Sequence, residues 1–454
     1  MSKPAQRGRL LRVLGVGFGL AVIIGNTIGA GIFSTPGGIA QQAPNVWLFL
    51  AIWIAGGVYA FLGAIALSEL GTMLPESGGQ YVFSRYALGE YAGFIVGWSD
   101  WISTCGTTAA VSIVIGDFLG VLFPSLAGRS VPIAVAVTVL FAILQWRGIV
   151  LGSQVQNVTS LLKALAFLIL IVAAFALGAK GAAVATSTSP ASLGSVISFV
   201  AIMLALQSVI YTYDGWAGVI YFSEEVQDPG RNVPRSLFGG ILLIFAIYML
   251  VNLALLYVLG LSGMAGQEFA AGTAARALFG HTGETILIAL TIVSMLSGIN
   301  AYHLMATRVL FAMSRDGLFL RSAARVNPGG TPAVALFFSA AIAVLFIVFG
   351  QTFKIVITVL AFFFVANYAL SFLSVFVLRR REPNKERPYR AWGYPWTTAL
   401  ALIGSIAFLL GAVASDLSAP AGTTRASIFA VLLLAASYPV FRIVKLFSSS
   451  GEAK

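Results

Sequence analysis

Long apolar runs separated by short polar gaps dominate the chain. Hydrophobic residues occupy 59% of the 454 positions and charged residues only 9%, whereas an average soluble domain carries roughly 25% charged residues. A helix that crosses a bilayer needs about 20 mostly apolar residues. Twelve such segments, numbered in chain order, lie near residues 13–41, 46–74, 88–123, 131–146, 155–177, 195–226, 236–260, 284–314, 332–350, 355–378, 395–414 and 426–444. This composition excludes an ordinary soluble enzyme.

The segments are too long for transmembrane strands and lack the alternation of apolar and polar residues that barrel strands show. Helices are therefore the structure that satisfies every backbone N–H and C=O group in lipid. The first segment continues through Gly31 to Ala40 without a small-residue cleavage site, so we expect no removable signal peptide. The sequence predicts an all-α membrane protein with twelve transmembrane helices.

Lys and Arg concentrate in alternate polar gaps. If the N-terminus is cytoplasmic, Lys163 and Arg308 lie within helices, and most of the other basic residues lie inside. The basic residues of the outside gaps are Arg129, Lys180, Arg276, Lys354 and Arg425. The positive-inside rule then predicts a protein of the cell (inner) membrane with both termini in the cytoplasm. Topology accounts for the net charge of +11, so we expect the lipid bilayer and no nucleic acid as a partner.

The residues that catalysis, a metal site or a nucleotide site would need are scarce. Cys105 is the single cysteine and lies in an apolar run, and His303 is the single histidine within a predicted helix. No Gly-x-Ser-x-Gly context surrounds His303, and no Gly-x-x-x-x-Gly-Lys-Ser/Thr loop is present. We therefore expect no enzyme activity, no metal and no cofactor.

Two predicted helices carry glycine-rich interruptions at matching positions. Helix 1 contains residues 25–31 (GNTIGAG), and helix 6, which runs in the opposite direction, contains residues 211–218 (YTYDGWAG). Because each Gly costs about 1 kcal/mol relative to Ala in a helix, we expect both helices to open there. Matching interruptions in two halves of opposite topology indicate an inverted-repeat transporter with its binding site at the breaks. Close helix packing through small residues is the alternative.

Open helices would release backbone groups that can bind a zwitterion. A new helix N-terminus exposes N–H groups at the positive end of the helix dipole, where a carboxylate can bind. These N–H groups belong to Gly29, Ala30 and Gly31. Carbonyl oxygens that can accept an ammonium belong to Thr27, Tyr211, Thr212 and Asp214. An α-amino acid carries both groups on one carbon, so the pattern predicts an amino-acid substrate.

At these residues the chain resembles the amino acid-polyamine-organocation superfamily, and within it the bacterial relatives of the L-type amino-acid transporters. The resemblance is carried by residues 25–36 (GNTIGAGIFSTP), 69–81 (ELGTMLPESGGQY), 211–235 (YTYDGWAGVIYFSEEVQDPGRNVPR) and 306–317 (ATRVLFAMSRDG), and residues 379–395 are similar to the basic loop before helix 11. It implies a five-plus-five inverted repeat with discontinuous helices 1 and 6, followed by two extra helices. It also implies secondary active transport by alternating access, without ATP.

The resemblance divides the chain and assigns roles to residues. The parts are a cytoplasmic tail (1–12), a first repeat (13–178), a second repeat (195–380), helices 11 and 12 (391–446) and a second cytoplasmic tail (447–454). The α-carboxylate site falls on the N–H groups of Ala30 and Gly31, next to Gly29, and the amine site falls on the four carbonyls named above. Ala30 stands where many relatives have Ser, so a hydroxyl contact is absent. The aromatic gate over the substrate falls on Tyr211, and Trp216 is a second gate candidate.

Lys163 is an ionisable residue inside predicted helix 5, where a charge costs roughly 3 kcal/mol on insertion scales. Its ammonium could snorkel to the cytoplasmic interface. The resemblance implies instead that the ammonium replaces the cation that sodium-coupled relatives hold between helices 1 and 8. We therefore expect no sodium requirement, while proton coupling and exchange both stay open.

Two acids also lie within predicted helices. Asp214, at the helix 6 interruption, would either cap frayed backbone or bind a proton or a cationic substrate side chain. Asp100, in helix 3, is expected to form a buried structural pair. A charged cluster at the cytoplasmic end of helix 6 should face Arg85 and Arg315, and it is either solvated loop charge or an inner gate. The cluster comprises Glu224, Glu225, Asp228, Arg231 and Arg235.

The substrate's side chain is predicted from the aromatic residues at the helix 6 interruption. Tyr211, Tyr213 and Trp216 suggest a mostly apolar pocket, which favours a neutral amino acid. One alternative is a cationic amino acid, which Asp214 could bind. The other is a polyamine or another organocation, for which several acids would be expected where only Asp214 is evident.

A protein partner is predicted from the resemblance as well. Eukaryotic relatives bind a heavy chain through an extracellular cysteine between helices 3 and 4. The corresponding loop, residues 124–131, has no cysteine, so we expect no disulfide-linked heavy chain.

Overall fold

A computed structural model describes residues 10–43, 45–178, 199–349, 353–418 and 425–450. The α-helices are α1 (Val16–Thr27), α2 (Ala30–Gln42), α3 (Val46–Met73), α4 (Gln80–Leu88), α5 (Glu90–Leu122), α6 (Ser130–Trp146), α7 (Ile149–Leu177), α8 (Phe199–Tyr213), α9 (Pro229–Met264), α10 (Ala270–Arg315), α11 (Ala333–Phe349), α12 (Phe353–Arg381), α13 (Trp396–Ser418) and α14 (Ala426–Ser450). Parts of the predicted tails, residues 1–9 and 451–454, and the start of predicted helix 6, residues 195–198, lie outside the described residues.

Eight helices are long and apolar enough to cross a membrane: α3, α5, α7, α9, α10, the Leu360–Arg381 part of α12, α13 and the Ser427–Lys445 part of α14. Helices α1 and α2 meet at a 45° bend and would together make a ninth span, and α6, α8 and α11 are shorter apolar helices. Strand-like pairing in the described ranges consists of two isolated bridges. The predicted all-helical membrane protein is thus confirmed, while the count of twelve spans stays a prediction.

The first break lies between α1 and α2. The chain leaves helical geometry at Ile28 and Gly29, both of which are extended. Val22 and Ile23 are fully buried and fix α1 in the core. A Cβ at Gly25 would lie 1.8 Å from Nε2 of Gln156 on α7. Glycine therefore lets α1 pack closely on α7 just before the helix opens.

The second break follows α8. The chain continues from Tyr213 through Gly215 into a 3-10 turn at Gly218–Tyr221. Gly215 has a φ of +100°, which L side chains rarely adopt, and a Cβ there would lie 2.6 Å from Nδ2 of Asn26 on α1. Glycine is therefore required by both the dihedral angle and the space. The two breaks consequently lie against each other.

Polar contacts join the broken helices on the side that is predicted to face the cytoplasm. The backbone N–H of Leu14, before α1, donates to the carbonyl of Glu225 at 3.0 Å, and the Leu14 carbonyl accepts from Gln227 at 2.8 Å. Arg308 of α10 donates to both carboxylate oxygens of Glu225 at 2.9 Å, and both side chains are fully buried. This buried ion pair fixes the segment between α8 and α9 to α10.

The predicted charged cluster is present in part. Glu224 faces Arg315 of α10, as expected, at 2.9 Å. Arg85 of α4 pairs instead with Asp316 at 3.4 Å. The expectation that Arg85 faces the helix 6 acids is therefore wrong, because Asp316, directly after α10, supplies its counter-charge.

We expect Glu225→Ala to destabilise the protein strongly, because it leaves the buried Arg308 guanidinium without its partner. Removing one member of a buried pair typically costs about 3–5 kcal/mol. Arg315→Ala, which removes two partly exposed ion pairs, with Glu76 and Glu224, is the control and should cost clearly less, about 1 kcal/mol or below for each pair. Thermal unfolding of both purified variants in detergent is the measurement. Equal unfolding temperatures would contradict a stabilising role of the buried pair.

Candidate substrate site between the broken helices

A polar cavity lies between the two helix breaks. Its walls come from the α1–α2 break, α5, the end of α8 with the turn after it, α10 and α12. The predicted binding residues that line it are Thr27, Gly29, Gly31, Tyr211, Thr212 and Asp214. Ala30 begins α2 between Gly29 and Gly31. The structure therefore brings together residues that are distant in the sequence, and their binding roles stay predictions.

The first turn of α2 lies at the wall of this cavity, which Gly29 and Gly31 line. The helix begins at Ala30 and is 13 residues long, and the first N–H groups of an α-helix have no intrahelical acceptor. Gly31 packs closely on α8, since a Cβ would lie 2.9 Å from Oγ1 and 3.2 Å from Cα of Thr212. An anion bound here would accept hydrogen bonds at the positive end of the helix dipole.

Carbonyl oxygens from both breaks meet at the hydroxyl of Tyr248. This hydroxyl lies 2.7 Å from the Thr27 carbonyl oxygen and 2.8 Å from that of Thr212. A hydroxyl donates one hydrogen and each carbonyl oxygen has two lone pairs, so both carbonyls keep capacity for an ammonium. The position of Tyr248 at the breaks could not be predicted from the sequence, because this residue lies in an apolar stretch of α9 without a charge or an interruption nearby.

The aromatic residues expected around the substrate lie in different places. Tyr211 lines the cavity. Tyr213 packs edge-on against Tyr248, with ring centroids 5.0 Å apart. Trp216 is buried and stacks on Tyr368 at 5.0 Å, so it lies behind the cavity wall. The mostly apolar aromatic pocket expected from the sequence is therefore wrong for Tyr213 and Trp216, and the gate roles of Tyr211 and Trp216 stay predictions.

Two acids line the cavity, where the sequence indicated one. Asp214 accepts a hydrogen bond from the hydroxyl of Tyr368, and Asp100 of α5 accepts one from that of Tyr221, each at 2.8 Å. Asp100 thus has the expected buried partner, but it also reaches the candidate site. Across the part of the chain that the structure describes, no three His, Cys, Asp or Glu side chains come together as a metal site would require.

Lys163 of α7 is buried and points at the opened end of α1. Its Nζ donates to the carbonyl oxygens of Gly25 at 2.9 Å and Ile28 at 2.5 Å. Ser294 of α10 donates to the same Ile28 oxygen at 3.1 Å. The ammonium therefore does not snorkel to the interface. It lies between α1, α7 and α10 and satisfies carbonyls that the break releases.

The sequence as a whole is similar to proteins that carry amino acids. Residues 19–437 match the Amino acid permease family. The chain is 30% identical over 410 residues to the serine/threonine exchanger SteT of Bacillus subtilis (strain 168), covering 88% of this chain and 91% of that protein. It is 29% identical over 401 residues to the b(0,+)-type amino acid transporter 1 of Homo sapiens (86% and 80% covered). It is 26% identical over 393 residues to the Asc-type amino acid transporter 1 of Mus musculus (85% and 74%).

We expect Gly31→Ala to weaken amino-acid binding at least tenfold. The added methyl would press on Thr212 and push the first turn of α2 away from α8, which displaces the N–H groups. Gly38→Ala is the matched control in the same helix, because a Cβ there has no atom within 4 Å. The measurement is uptake and competition of amino acids in proteoliposomes. Unchanged affinity in Gly31→Ala would remove the assignment of this turn to the substrate.

Proposed function

The chain belongs to the amino acid permease family, and we propose that it is a secondary active transporter of α-amino acids that works by alternating access. The family and its relatives are transporters, so the chain is a multi-pass membrane permease and not an enzyme. The finer proposal rests on one observation. Residues of both helix breaks, among them Thr27, Gly31 and Thr212, line the same cavity.

These backbone groups suit the invariant part of an α-amino acid. The N–H groups of Ala30 and Gly31 would bind the carboxylate, and the carbonyls of Thr27, Tyr211 and Thr212 would accept the ammonium. Because every proposed contact is made to the substrate's carboxylate or ammonium, this recognition does not depend on the substrate's side chain. The side chain would then extend toward α5, α10 and α12, which form the other walls.

Lys163 supports transport without sodium. Its Nζ donates hydrogen bonds to the carbonyls of Gly25 and Ile28, so these released oxygens do not need a metal ion as a partner. We favour exchange as the mode, since the relative SteT is named an exchanger, and proton coupling is the alternative.

The charged pairs of the segment between α8 and α9 support an inner gate. Glu224 with Arg315 and Glu225 with Arg308 join this segment to α10, and their separation would open the side that we place in the cytoplasm with both termini. Cys105, the single cysteine of the sequence, is buried in α5, which supports our proposal that no heavy chain is linked by a disulfide.

Neutral amino acids are the first candidate substrates. Tyr211 on the cavity wall and the name of the serine/threonine exchanger support this class. Cationic amino acids are the second candidate, because Asp100 and Asp214 both line the cavity. A polyamine has no carboxylate for the first turn of α2.

We expect serine to compete for uptake at least tenfold better than serinamide or ethanolamine, because each of these two amines lacks a free carboxylate. Tenfold corresponds to about 1.4 kcal/mol, of the order of one hydrogen bond to a charged group. The measurement is inhibition of labelled amino-acid uptake in proteoliposomes, with sodium replaced by choline in a parallel series that should change little. Equal competition by the amines would favour an organocation carrier.

We expect Lys163→Ala to reduce transport at least tenfold while expression stays close to wild type, because the opened end of α1 loses the donor to Gly25. Lys445→Ala, which removes an exposed lysine that pairs with Glu90, is the control and should transport normally. The measurement is the initial rate of amino-acid uptake in proteoliposomes of each variant. Wild-type rates in Lys163→Ala, or a steep sodium requirement in the wild type, would contradict the role of this ammonium.

A further inference from the structure

The cavity has a polar wall on α5 that recognition of the amino and carboxylate groups does not use. Asp100 and Thr104 line it one helical turn apart, with Gln80 and Tyr221 beside them. The Tyr221 hydroxyl donates to Oδ2 of Asp100 at 2.8 Å. Because its hydrogen is used there, the same hydroxyl accepts the hydrogen bond that joins it to Gln80. The Asp100 carboxylate is thus buried, with 4% of the residue exposed, and held in one orientation at the cavity wall.

Other buried acids of the protein have cationic partners. Glu225 and Glu69, at most 1% exposed, each form ion pairs with arginine. Asp100 and Asp214 are bonded instead by tyrosine hydroxyls, and no ion pair to either carboxylate is found among the residues whose side chains are described. Among the described residues, the cavity therefore holds two acids without a counter-charge.

An ionised carboxylate away from water costs several kcal/mol unless a positive charge compensates it. Asp100 and Asp214 would also repel each other if both were ionised, because they line the same cavity. A neutral amino acid brings one ammonium and one carboxylate, so it leaves this imbalance unchanged. A substrate with a second ammonium or a guanidinium would reduce it.

A second observation points to a polar ligand in the same cavity. Thr107 on α5 and Asn26 on α1 line it, and their buried atoms Oγ1 and Oδ1 have no hydrogen-bond partner among the described residues. Buried polar atoms of this kind normally have partners. Polar groups of a substrate, or water that accompanies it, would supply them.

We propose that Asp100 is a second recognition point of the cavity, which binds a cationic group at the end of the substrate's side chain. Tyr221 is its positioning residue, because it fixes the carboxylate without needing to touch the substrate. The inference rests on the proposed function, in which the helix breaks hold the amino and carboxylate groups. The protein then carries cationic amino acids beside neutral ones.

The test compares lysine with norleucine, which has the same four-carbon side chain without the terminal ammonium. Both compete against labelled serine in proteoliposomes of the wild type and of Asp100→Asn. The variant should weaken competition by lysine ten- to hundredfold, as expected for loss of a hydrogen bond to a charged group. Competition by norleucine should change less than about twofold, which is well under the 1.4 kcal/mol of one decade.

Three further variants complete the design. Asp117→Asn removes an exposed carboxylate of the same helix, bonded by Ser130, and should leave both competitors unchanged. Asp100→Glu keeps the charge and should retain most of the preference for lysine. Tyr221→Phe should lower the ratio of lysine to norleucine affinity, and this ratio decides the matter if Asp100→Asn fails to fold.

Each contrary result has a distinct meaning. If lysine and norleucine weaken together in Asp100→Asn, or neither changes, Asp100 does not bind the side chain and the inference is overturned. If serine is transported by the wild type but lysine never competes, this inference fails and the proposed function stands. If no α-amino acid is transported or competes, the proposed function itself fails.

Discussion

Breaking two helices inside an apolar slab releases backbone groups that lipid cannot satisfy, and each such group costs several kcal/mol if it stays unpaired. Much of the interior is arranged around this constraint. The Lys163 side chain and the Ser294 hydroxyl donate hydrogen bonds to carbonyl oxygens at the end of α1. Tyr248 bridges the carbonyls of Thr27 and Thr212 across the two breaks. We propose that the first turn of α2 binds a ligand, so that the candidate site consists of backbone groups that the two breaks release.

Charge is distributed in two contrasting ways. On the predicted cytoplasmic side, acids and arginines form close pairs, of which Glu225 with Arg308 is fully buried. In the cavity, Asp100 and Asp214 accept hydrogen bonds from tyrosine hydroxyls, and neither forms an ion pair among the described residues. A paired charge can hold two helices together, whereas an unpaired carboxylate at a cavity wall can bind a cation. The first arrangement suits a gate and the second suits recognition of a substrate.

The sequence could predict the helices and the positions of both breaks, because long apolar runs and dense glycine are local signals. It could not predict which side of α5 faces the cavity. This helix has buried residues on every side, so periodicity does not distinguish the Asp100 face. Tyr248 and Trp216 raise the same difficulty, since their positions depend on how α9 and the turn after α8 pack. The partner of Arg308 is likewise set by a contact between distant parts of the chain.

The account depends on backbone recognition of the amino acid at the helix breaks. A structure determined with a bound amino acid tests this most directly. It should show the carboxylate about 3 Å from the N–H of Gly31 and the ammonium about 3 Å from the carbonyl oxygen of Thr27 or Thr212. An amino acid whose carboxylate and ammonium are both bound away from the two breaks would contradict the account.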